Sequence, residues 1–141
     1  MPLLILLLGF APPLLFTLFV TLIVFLALVE FNRMGMQQEQ VVVQWFAAAL
    51  GAAIVPLFYF NKLAWLPGLL TAIFLLLALV LLLRPENLTR VHHHFGWICL
   101  GVIYIALLMA YLVPLRALDD GRQWIFLTLV VVMCCDTSAY V

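Results

Sequence analysis

The residues best equipped for chemistry lie at the end of the chain. There an apolar run, 125–135, finishes in Asp136-Thr-Ser-Ala-Tyr140 rather than in a loop. A polar segment, Arg116-Ala-Leu-Asp-Asp-Gly-Arg-Gln-Trp124, opens that run. If one helix begins near Gln123 at a membrane boundary, Asp136 lies about 20 Å along it at the α-helical rise. The hydrocarbon slab is about 30 Å thick, so the carboxylate would still be inside it. A carboxylate at such depth costs about 2.5–3.5 kcal/mol on insertion scales unless a polar cavity, a cation or a partner receives it. That makes Asp136 a candidate for catalysis and for holding a metal. Tyr140 follows at i+4, on the same helical face, and Thr137 and Ser138 set hydroxyls beside it. The competing reading is a surface acid that snorkels to water, or pairs with a base, where the helix leaves the membrane.

Other polar groups yield less. His92-His93-His94 suggests a metal site, but neighbours on a helix point about 100° apart and cannot converge on one ion. A loop facing solvent or headgroups is the reading adopted for them. Asn87-Leu-Thr89 fits the glycosylation pattern, which matters only on an extracytoplasmic loop. Asp119-Asp120-Gly121 reads as a turn rather than a paired-carboxylate site. Cys99, Cys134 and Cys135 form no CxxC pattern and each sits in an apolar run, so they read as small hydrophobes.

The elements that must position Asp136 follow from composition. Of 141 residues, 69% are hydrophobic and 9% charged, with a mean hydropathy of +1.31. Soluble domains are nearer half apolar and a quarter charged. This much apolar surface cannot be hidden inside a soluble core of such a length, so the chain is expected to be an all-α, polytopic integral membrane protein. Lys plus Arg and Asp plus Glu number 6 each, which removes any electrostatic case for nucleic acid.

About five spans are expected, in one helical domain covering 1–141, after a short N-terminal apolar segment at 3–8 that is too short to cross. The first complete span is 14–31, placed after Pro12-Pro13, which suit the first turn of a helix. The others are 41–60, 64–83 and 95–113, with the helix toward Asp136 last. Loops are expected at 35–40, 84–94 and 114–122. Pro56 should kink the second span. Ala47 and Gly51 give that span a small-residue face, read as a packing seam inside the molecule, with homodimerisation as the alternative. Trp45, Trp65, Trp97 and Trp124 all fall in the opening turns of spans, as an aromatic belt would. Basic residues split evenly between the two sides: Arg33, Arg84 and Arg90 against Lys62, Arg116 and Arg122. Charge bias therefore leaves the orientation open.

The segment Arg116–Arg122 before an apolar run that ends in Asp136-Thr-Ser-Ala-Tyr140 resembles the phosphatidate cytidylyltransferases, the CDP-diacylglycerol synthases. In that family the corresponding motif is of the Asp-Thr-Gly-Ala-Tyr type, with Ser138 here in place of Gly. Glu30-Phe-Asn-Arg33 and Gly101-Val-Ile-Tyr-Ile-Ala106 are similar to the family as well. The resemblance implies transfer of CMP from CTP to phosphatidate, giving CDP-diacylglycerol and pyrophosphate. It further implies Mg²⁺ as cofactor, Asp136 as a catalytic and metal-binding residue, and Thr137, Ser138 and Tyr140 beside the substrate. It also implies a bacterial inner membrane protein whose site faces the cytoplasm, where CTP is found. The family's motif runs on into glycine-rich and lysine-rich sequence and a further acidic signature. The chain is therefore expected to be an N-terminal portion, clipped at both ends and inert alone. Two other classes fit a lone intramembrane acid: a non-catalytic subunit or transporter fragment, and a CTP-dependent polyprenol or dolichol kinase.

Overall fold

Proline fixes φ near the helical value and gives up only an N–H that the first turn leaves unused. Pro13 accordingly opens the first helix. The computed structural model describes residues 12–35, 41–83 and 88–139, the side chains of 88–90 excepted. Tyr140, Asn87 and the segments 3–8 and 36–40 lie outside them. The described residues form five helical rods long and apolar enough to cross a membrane, with no strand among them. These are α1 (Pro13–Gly35), α2 (Val41–Tyr59), α3 (Leu63–Leu82), α4 (Val91–Ala117) and α5 (Gly121–Ala139).

Two of the rods are broken in the same way. In α2 the helix stops at Ala52 and resumes at Ile54, and in α4 it stops at Ala110 and resumes at Leu112. Ala52 lies four residues before Pro56, and Ala110 four before Pro114. A proline has no N–H for the carbonyl four residues back, and its ring crowds that carbonyl. The expected kink at Pro56 is thus present as a break at Ala53. At Pro114 a connector was expected from 114 to 122, yet Leu112–Ala117 is a further helical turn and a half, carrying Arg116.

The loop assigned to 84–94 is shorter as well, because helix begins at Leu88. Val91, His94, Ile98 and Val102 fall on one face at helical spacing, and all four are buried. The three histidines therefore occupy helix rather than loop. His92 and His93 face outward and His94 inward. Farther along, Val102–Leu107 widens into a π-helical turn.

Tight connections lie at the opposite end. After α2, Asn61 takes a left-handed φ of 53°. Its N–H donates to the Phe58 carbonyl at 3.3 Å, and the Lys62 N–H donates to Leu57 at 3.1 Å. That is a Schellman cap with Asn replacing the usual glycine. Before α5, Asp120 takes a φ of 61°, which makes Asp119-Asp120 the expected turn. Asp and Asn tolerate this region better than other residues with a side chain.

The core lies among α1, α2 and α4, with Phe16, Val24, Leu28, Ile54, Ile98 and Val102 all but sealed. Ala47, Ala48 and Ala52 are buried with Gly51 in that seam, where Gly51 meets Leu28 and Val102. The small-residue face is thus used inside the molecule and is closed to a second copy. Trp45, Trp65 and Trp124 are exposed near span ends, whereas Trp97 turns inward and donates its indole N–H to the Phe31 carbonyl at 2.8 Å.

Antiparallel crossing puts Met34 and His93 on one side of the membrane and Leu118 on the other. Single cysteines at these exposed positions, in a background lacking Cys99, Cys134 and Cys135, should label from opposite sides with an impermeant thiol reagent. Labelling of all three from one side would defeat the five-span order.

Candidate functional site

α5 carries the proposed chemistry, and its start is built by Asp120. The Asp120 carbonyl accepts the Gln123 N–H at 2.8 Å and the Trp124 N–H at 3.3 Å. Gly121 is required at the next position, because a Cβ there would run into the backbone carbonyls of Leu115 and Arg116. That close approach seats α5 on the last turn of α4. Beyond Ile125, α5 buries almost nothing, and its packing is against the 112–117 turn.

Asp136 lies fifteen residues past Gly121 on an unbroken helix, about 22 Å along the axis. It is exposed, at the end of the bundle where α1 finishes and α2 and α4 begin. The hydroxyls beside it are turned onto their own helix. Thr137 Oγ1 donates to the Met133 carbonyl at 2.8 Å and Ser138 Oγ to the Cys134 carbonyl at 2.6 Å. Such i−4 bonds use the hydroxyl hydrogens where water is scarce and leave the oxygens as outward acceptors. Tyr140 falls outside the described residues.

No group of three or more His, Cys, Asp or Glu forms a metal cage among the described residues. One open carboxylate still suits Mg²⁺, which is commonly held by one or two carboxylates together with substrate phosphates and waters. The donor set therefore fits a cation that arrives with a polyphosphate. It does not fit an all-protein metal site.

A second polar feature at this end was missed in the sequence reading. Asn32, Gln44 and His94 are buried among apolar neighbours of α1, α2 and α4. Asn32 Nδ2 donates to the Gln44 carbonyl at 3.3 Å, and Asn32 Oδ1 is buried without a hydrogen-bond partner. Phe31 stacks on Trp97 at 4.8 Å, and His93 stacks on the same indole at 6.3 Å. The available signal was a Gln inside the apolar run 41–60 and an Asn one turn beyond Leu28. These groups lie at the end of the bundle where α1 finishes and α2 and α4 begin, the end at which Asp136 is exposed.

Comparison with known proteins gives one family. The model described as the cytidylyltransferase family matches residues 1–141. No curated protein and no solved structure matches the chain.

Proposed function

The chain belongs to the cytidylyltransferase family, whose nucleotide substrate is CTP, and from that premise we propose that it serves the transfer of CMP from CTP to phosphatidate, giving CDP-diacylglycerol and pyrophosphate. The observation that carries this reading is Asp136. It is an open carboxylate at the end of a membrane-spanning helix, followed by two hydroxyls, in a chain matched throughout by a CTP-using family.

A phosphate monoester must attack a triphosphate at the membrane surface, so two strongly anionic reactants meet. Mg²⁺ would supply charge compensation for that encounter. Asp136 is the group that would position the cation, and its place on α5 sets the depth at which the lipid phosphate and the nucleotide come together. Thr137 and Ser138 present acceptor oxygens to the hydrated edge of the substrate. The site faces the cytoplasm in this reading, because CTP is cytosolic, and a bacterial inner membrane is the proposed location. In this reading residues 1–141 provide one catalytic carboxylate and the frame that holds it.

The position of the label decides the reaction class. In a form joined to a family member's C-terminal portion, CTP labelled at the α-phosphate should label lipid when phosphatidate is supplied, with release of pyrophosphate. Transfer of the γ-phosphate to a polyprenol, with release of CDP, would replace this reading by a lipid kinase. Residues 1–141 alone, in detergent with Mg²⁺, CTP and phosphatidate, should form no CDP-diacylglycerol above background. Turnover there would place the whole catalytic set within these residues.

A further inference from the structure

Thr128, Val132 and Asp136 follow one another at i, i+4 and i+8 on α5, so they form a single ridge of that helix. The neighbouring row, Gly121, Ile125 and Leu129, is the side that α5 turns to the bundle, and burial fades along it. Gly121 and Ile125 are buried, Leu129 is half-buried, and Val132 and Asp136 are exposed. α5 therefore parts from α4 as it runs toward Asp136. Between the two helices lies a groove of about 370 Å³, lined by Leu108, Tyr111, Leu112, Leu115 and Leu118 on the α4 side and by Thr128 on α5. Polar groups are scarce in it. The Thr128 hydroxyl donates to the Trp124 carbonyl at 2.9 Å, so its hydrogen stays within the helix. Tyr111 meets Phe58 edge-on, with ring centroids 5.0 Å apart, which steadies that wall.

We propose that this groove receives one acyl chain of the phosphatidate whose phosphate is drawn to Asp136. The inference rests on the phosphatidate reading given above and adds where the lipid's tail lies. If Gly121 marks one face of a hydrocarbon slab about 30 Å thick, Asp136 lies about 8 Å below the other. A phosphate at that depth carries its chains past the midplane by a similar distance, into the half of the slab that holds the groove. Thr128 lies eight residues, about 12 Å, below Asp136 on the same ridge. That is within the roughly 15 Å that the chains of one leaflet span. From Leu108 to Leu118 the groove then runs on for about 15 Å, with a mean cross-section of about 25 Å². A helix is about 10–12 Å across and too wide to enter, whereas a single extended hydrocarbon chain fits. The parts also come in the order a lipid needs: a carboxylate for the head at Asp136, an apolar step at Val132, and an apolar slot from Thr128 onward.

The test uses phosphatidate with a diazirine near the end of one acyl chain, added to the 141-residue chain in phosphatidylcholine nanodiscs with Mg²⁺. Photolabelled peptides are mapped by mass spectrometry, and phosphatidylcholine carrying the same diazirine is the comparison. Phosphatidate should label residues 108–118 and 124–132 about tenfold more than phosphatidylcholine does, the scale of one charge-assisted interaction at the head. Asp136→Asn should remove that difference. Leu108→Trp and Thr128→Phe, both at exposed positions, fill the groove. Each should cut phosphatidate labelling there about tenfold, the scale of two methylenes kept out of an apolar site. Leu75→Trp, exposed on α3, should label as the parent does. Equal labelling by the two lipids, parent-like labelling in both groove variants, or no labelling of these peptides would overturn the proposal. Labelling elsewhere that still depends on Asp136 would sink the groove while leaving phosphatidate at the site. The reaction itself is judged separately, by the position of the CTP label. Disulfide-linked dimers of Thr128→Cys in high yield, in a background lacking the native cysteines, would give the groove to a second copy and overturn the proposal too.

Discussion

Asp136→Asn, in residues 1–141 joined to a family member's C-terminal portion, is expected to cut CTP incorporation into lipid about a hundredfold or more, the scale of removing one charge-stabilising group. The side chain keeps nearly its shape and loses only its charge. Packing cannot account for a loss at this position, because α5 rests on the 112–117 turn and Asp136 itself is exposed. Removing an uncompensated charge from a spanning helix should leave thermal stability in detergent unchanged or raise it. Asp136→Glu retains the charge on a longer stem and should keep more activity than Asn. Rates are to be compared at limiting and at saturating Mg²⁺, since a lost metal ligand shows most strongly when the cation is scarce. A near-parental rate for Asp136→Asn would reduce the residue to a surface acid and remove its catalytic assignment.

Much of the fold was legible because the membrane imposes a coarse code. Long apolar runs between polar stretches gave the number of rods, and α2 and α3 begin and end within about a residue of their expected limits. The errors came where a polar sequence stayed helical. His92 to His94 were assigned to a loop on polarity, but the spacing of Val91, Ile98 and Val102 carries the helix back to Leu88. Likewise Leu112–Ala117 continues α4 beyond Pro114, since the proline breaks the helix behind itself rather than ahead. The buried set of Asn32, Gln44 and His94 was not legible, because a polar residue in an apolar run does not reveal which neighbouring helix will receive it. Asp136 was singled out by type and expected depth, and to that the structure adds only its exposure near the end of α5. The groove between α4 and α5 was not legible, since it depends on how far the two helices part.

The frame beneath α5 makes its own sharp prediction, at Leu28. This side chain is 1% exposed and is held between two glycines. A Cβ on Gly51 would sit 2.6 Å from Leu28 Cδ1, and one on Gly101 would sit 3.4 Å from Leu28 Cδ2. Behind Gly51, Val102 Cγ2 and the Ala106 Cβ close the remaining space at 3.4 and 3.7 Å. Leu28 has no open side toward which to retreat. Gly51→Leu should therefore destabilise the chain by about 1–3 kcal/mol, the usual cost of overpacking a filled core, seen as a lower melting temperature in detergent. Gly68 on α3 is the control, because nothing lies within 4 Å of a Cβ placed there. Gly68→Ala should cost nothing and could gain slightly through helix propensity. Comparing Gly51→Ala with and without Leu28→Ala separates the clash from a general intolerance of change. If the slot is real, the alanine at 51 should cost less once Leu28 is shortened, so the two effects will not add. Equal, additive losses would mean that Leu28 does not fill the space beside Gly51, and that the α1–α2–α4 seam is looser than the structure shows.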